Sequence, residues 1–117
     1  MSYMLLVVEK SGDREARTDS EGRARYDRML RFSEDLKQRG LLTLTQSLKT
    51  DTAGVRVTNR AEKSVVRDGP FAEAREMIGG IFLLTCESRE QAIQIARECP
   101  AAEWATIEVR ELGPCYS

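Results

Sequence analysis

Hydrophobic and polar positions run in short blocks whose period shifts between two and nearly four. Tyr3-Met-Leu-Leu-Val-Val-Glu9 is an apolar run too short for a helix and bounded by charge and Gly12, which predicts a buried strand. The polar stretch 10–19 predicts a loop. Thr18 and Glu21 then form a capping-box pair, in which the two side chains satisfy free backbone donors reciprocally. Tyr26, Met29, Leu30, Ser33 and Leu36 follow at i, i+3, i+4, i+7 and i+10, one face of a helix that ends near Arg39 with Gly40 as its stop. Phe32 lies off this stripe and implies a second apolar contact.

Leucines at 42, 44 and 48 with threonines between them predict a strand over 41–49, and 50–54 reads as a turn. Val55, Val57, Val65 and Val66 flank the polar Asn59-Arg-Ala-Glu62 and predict a hairpin. Pro70 lacks a backbone donor and pushes Gly69 away from helix, so the chain must turn there. Ala72–Met77 predicts a short helix ended by Gly79-Gly80. Ile81-Phe-Leu-Leu-Thr-Cys86 is the most apolar segment and the candidate central strand. Ser88 and Gln91 cap a helix with Ala92, Ile93, Ala96 and Cys99 inward, closed by Pro100. Thr106–Leu112 alternates, with Ile107 and Val109 opposite Glu108 and Arg110, and the tail 113–117 reads as loose.

Without the middle hairpin and short helix, the order is strand-helix-strand twice over. That is the α+β, ferredoxin-like βαββαβ sandwich, with both long helices on one sheet face. The other face keeps apolar residues that nothing in the chain covers, and the simplest cover is a second copy in a two-fold homodimer. The 117 residues carry no repeat, low-complexity tract or linker, so one domain, 1–117, is expected.

Composition narrows the chemistry. There is no histidine, which closes Ser-His-Asp and Cys-His catalysis within one chain, HExxH and Cys2His2 zinc, and haem on a proximal histidine. The three cysteines, Cys86, Cys99 and Cys115, form no CxxC pair, so neither a disulfide framework nor a metal site is expected. A net charge of −1 argues against general nucleic-acid binding. No glycine-rich phosphate loop is present, and no cofactor is expected. The longest apolar run falls far short of the roughly 20 residues of a membrane span, and no secretory pattern opens the chain, so a reduced cytoplasmic location is expected.

The stretch Asp68-Gly-Pro-Phe-Ala-Glu-Ala-Arg-Glu-Met-Ile-Gly-Gly80 and the strand to Thr85 resemble the signature of the DGPF-domain, YCII-related proteins. Tyr3-Met-Leu-Leu6, Cys99-Pro100 and Ile107-Glu-Val-Arg110 are similar to that family too, so the resemblance spans nearly the whole chain. It implies a dimeric α/β-barrel fold. It also implies lyase- or isomerase-like chemistry on a histidine-aspartate pair, or a regulatory association, since some members are encoded beside alternative sigma factors. Asp68 stands at the aspartate position, and this chain has no histidine to pair with it.

Asp68 is the first candidate acid/base, against the alternative that an aspartate before Gly-Pro bonds its own backbone and fixes a turn. Phe71 reads as a core anchor or ligand platform, and Glu73, with Glu76, as a ligand-facing or solvated helix face. Tyr3 and Tyr26 could offer phenols to a cleft or pack in the core. The arginines 23, 25, 28 and 31, interleaved with acids, read mainly as an ion-paired helix surface and secondarily as an anionic-ligand site. Two functions stand: a homodimeric binding or regulatory module that takes a small molecule, anionic or not, or meets a protein partner, and a cofactor-free lyase or isomerase using Asp68.

Overall fold

The computed structural model describes residues 1–116; of the tail read as loose, Ser117 lies outside the described residues. The elements are β1 (Ser2–Lys10), α1 (Asp13–Ala16), α2 (Asp19–Gln38), β2 (Leu42–Ser47), β3 (Val55–Arg60), β4 (Lys63–Asp68), β5 (Glu76–Thr85), α3 (Arg89–Glu98) and β6 (Thr106–Glu111). The main sheet is antiparallel with strand order β2-β5-β1-β6, and β3 and β4 pair separately as a hairpin. This is the ferredoxin-like α+β arrangement with an inserted hairpin.

Strand alternation decides which residues meet the helices. Tyr3, Leu5, Val7 and Glu9 of β1 are buried, and their cross-strand partners Leu84, Phe82 and Gly80 share that face. Against it lie Phe32 and Leu36 of α2 and Ala92, Ile95 and Ala96 of α3. Phe32 meets Phe82 edge to face, with ring centroids 5.5 Å apart. Leu5, Leu36, Leu84 and Ile95 are sealed completely.

The helix boundaries follow from their caps. Thr18 and Glu21 form the expected capping box, Ser88 accepts from the Gln91 amide, and Gly40 takes φ 72° just past α2, a conformation that needs no Cβ. The inward arc of α2 is rotated from the expected stripe. Phe32 is buried, whereas Tyr26 is 52% and Leu30 47% exposed. Met29, Phe32 and Leu36 form the arc that meets the sheet; Tyr26 and Leu30 sit on its flank, over a cleft. In α3, Ile95 rather than Ile93 is the sealed isoleucine.

The short helix expected at Ala72–Met77 does not form. β1 runs on to Lys10 and offers partners as far as Glu76, so β5 starts there, with Met77 opposite Glu9. The register steps between Val7 and Val8, and Gly79 is the extra residue that the step leaves in β5. Glu73 and Glu76 therefore share no helix face. In the loop expected at 10–19, α1 makes one turn.

The opposite sheet face carries Met4, Leu6, Val8, Leu44, Ile78, Ile81 and Leu83, and neither α2 nor α3 covers it. We expect Leu36→Ala to cost about 2–5 kcal/mol in urea unfolding and Leu30→Ala about 0.5 kcal/mol or less. Equal losses would contradict the rotated arc.

Candidate functional site

A charged residue on the inward parity of β1 organises the principal cleft. Glu9 follows Tyr3, Leu5 and Val7 on the helix-facing side, where an isolated carboxylate would be costly. Arg14, on α1, neutralises it with a two-pronged contact: Nε donates to Oε1 at 3.0 Å and Nη2 to Oε2 at 2.6 Å. The same guanidinium donates to the carbonyls of Leu48 at 2.6 Å and Gly79 at 3.1 Å. One side chain thus ties together the end of β1, the segment after β2 and the β5 bulge. Gly79 is required there, because a Cβ would overlap the Glu9 carboxylate and the Arg14 guanidinium.

Beside this clasp opens a cleft of about 1040 Å³. Its floor is Val7, Gly80 and Phe82, and its wall is Tyr26, Met29 and Leu30 of α2. Its rim is 45–49 on one side and Trp104 on the other. Trp104 is flanked by the Arg25 and Arg28 guanidiniums at 4.9 and 5.5 Å from its ring centroid, and Arg28 also binds Glu103. Glu9 is cancelled by Arg14, and Asp19 by Arg23 at 2.9 Å. Of the remaining lining charges, Arg25 and Asp27 balance in sign. Arg17 and Lys49 line the cleft and make no salt bridge among the described residues; Glu21, at the start of α2, feels the charges of Arg25 and Arg17, so the lining has a small excess of positive charge over an apolar floor.

The five residues singled out from sequence fall in four places. Tyr26 lines the cleft. Tyr3 is in the core, where burial pushes its phenol pKa up and Glu111 and Glu90 add to the effect. Phe71 and Glu73 gather at the hairpin base: Arg56 lies 3.9 Å from the Phe71 ring centroid, and Glu73 binds both Arg56 and Arg67. Its own backbone N–H and then Arg67 hold the Glu73 carboxyl below the usual range. Asp68 is exposed at the end of β4, opposite Val55, and lines neither the main cleft nor a second cavity of about 450 Å³ beside Phe71.

Glu9, Arg14, Arg17, Lys49 and Trp104 were not singled out. The legible signal was the parity of Glu9, a carboxylate in step with three core residues. Arg17 and Lys49 sit on loops, and that both line one cleft is a tertiary feature. Among the described residues no three metal-ligating carboxylates or thiols converge, and no helix is long and apolar enough to cross a membrane. Burial pushes the Cys99 thiol up to about 11 and raises that of Cys86, while Cys115 is exposed.

The model of the YCII-related domain family matches residues 1–115, and the chain belongs to that family. It is also 36% identical over 76 residues to an uncharacterized protein of Rhizobium meliloti, a match covering 63% of this chain and 61% of that protein.

Arg14→Met should cost about 3 kcal/mol or more by stranding Glu9, and adding Glu9→Leu should recover most of it; a double variant as unstable as the single one would contradict the clasp. At pH 8 in the native state, iodoacetamide should label Cys115 and spare Cys86 and Cys99, read by peptide mass spectrometry.

Proposed function

We propose that this YCII-related domain is a two-fold dimeric binding module. Its cleft takes a small organic anion with an apolar body, such as an aromatic or aliphatic monocarboxylate. The carrying observation is the pairing of an apolar floor and wall (Val7, Phe82, Met29, Leu30) with a lining in which cations, Arg17 and Lys49 among them, outnumber carboxylates. A carboxylate at the rim would meet both cations while its hydrocarbon displaced water from the floor. Tyr26, half-exposed on the wall, can close over the bound molecule with its ring and offer its hydroxyl.

The dimer rests on the uncovered sheet face. Met4, Leu6 and Val8 of β1 stand opposite Leu83, Ile81 and Ile78 of β5, so one apolar surface continues across two adjacent strands. A second sheet is its natural complement. Three free cysteines, two of them buried, suit a reducing compartment such as the cytoplasm. The second reading, a cofactor-free lyase or isomerase using Asp68, is supported by the DGPF motif. In one subunit that carboxylate is exposed, so a second chain would have to complete its site.

Titration calorimetry with phenylacetate and hexanoate separates the two readings. Arg17→Ala with Lys49→Ala should weaken binding at least tenfold, and raising salt from about 0.05 to about 0.5 M should weaken it as well. Asp68→Asn should leave it unchanged. Loss of binding with Asp68→Asn and none with the rim variant would overturn the cleft reading in favour of Asp68.

A further inference from the structure

We infer that the β3–β4 hairpin is a dimerisation arm whose valine face packs on a second copy of this chain, an inference that rests on the two-fold assembly proposed above. Direct cross-strand partners share a face, so the hairpin has two distinct sides. Arg56 and Arg67 are opposite each other on one side, and that side is occupied within the chain by Phe71 and Glu73. The other side carries Val55 opposite Asp68 at the base, the Val57–Val66 pair at its centre and Asn59 opposite Ser64 nearer the tip; the three valines are exposed by 55%, 59% and 65%. Every residue of both strands is exposed. A lone two-stranded hairpin with uncovered valines is marginal in water and gains stability by packing.

The surface area says how much cover is missing. The chain exposes 8214 Å², against about 6400 Å² for a compact monomer of its mass. Its radius of gyration is 16.1 Å, against about 13 Å for a compact domain of its length. The excess exceeds the roughly 800 Å² that one partner contributes to a standard interface. A second copy is the occupant that continuity selects. The Phe71–Arg56 stack lines a cavity together with Val8 and Ile78, so the arm rises directly from the uncovered sheet face. A copy that covers the face arrives at the base of the arm, and by symmetry brings its own arm to the same seam. Arg60 and Lys63 at the tip oppose open-ended edge-to-edge pairing and favour a closed, face-on contact.

Sedimentation equilibrium on three proteins tests this. Val57→Glu with Val66→Lys replaces the valine pair by an opposite-charge pair that keeps the hairpin register. It should raise the dimer dissociation constant at least tenfold, while amide exchange shows the hairpin still formed. Leu83→Arg, on the sheet face, should also dissociate the dimer. If Leu83→Arg dissociates it and the valine variant stays within twofold of wild type, the arm inference is overturned and the two-fold reading survives. A wild type that is monomeric at all concentrations overturns both.

Discussion

A carboxylate on a core-facing strand position must be neutralised or expelled, and the way Glu9 is neutralised shapes this end of the molecule. Arg14 reaches it only because α1 folds back from the end of β1. The same guanidinium also collects the carbonyls of Leu48 and Gly79. The contact requires a glycine at the β5 bulge, explains why a one-turn helix stands in an otherwise polar loop, and holds Leu48 and Lys49 at the mouth of the cleft. Replacing the pair by apolar groups could keep the packing. It would remove the shared tie among three segments that the cleft depends on.

The fold is legible because its signals are local. Alternation in β1 and β6, two capped helices and a valine-flanked polar tip each specify an element without knowledge of the rest. Expectation and structure part where a distant partner decides. Ala72–Met77 has helical character, yet β1 extends far enough to recruit Glu76–Gly79 into the sheet. Phe32 is peripheral on a helical wheel, but the line along which α2 crosses the sheet makes it central and leaves Tyr26 and Leu30 on the flank. The site is less legible than the fold. Of the sequence candidates Tyr26 reaches the main cleft, as do Arg23 and Arg25 of the basic group, while loop cations such as Arg17 and Lys49 gain meaning from the contact between Arg14 and Glu9.

Two surfaces differ in how complete they are. The helix-facing side of the sheet is closed except at the cleft, where apolar floor and positive rim are both built from this chain. The opposite side, with the hairpin beyond it, is apolar and uncovered. The absence of histidine fits this division of labour. The histidine that the family resemblance pairs with Asp68 is missing from the sequence, and Asp68 itself lies outside the cleft. The DGPF segment then serves as the turn that carries the Phe71–Arg56 stack and roots the hairpin.

Amide chemical-shift mapping decides whether the cleft takes a small organic anion, as proposed. On titrating phenylacetate into the labelled protein, shifts should concentrate at 45–49, Gly79, Gly80, Arg17 and the Tyr26–Leu30 turn of α2. Shifts concentrated at Asp68–Glu73, with the cleft residues unmoved, would contradict it.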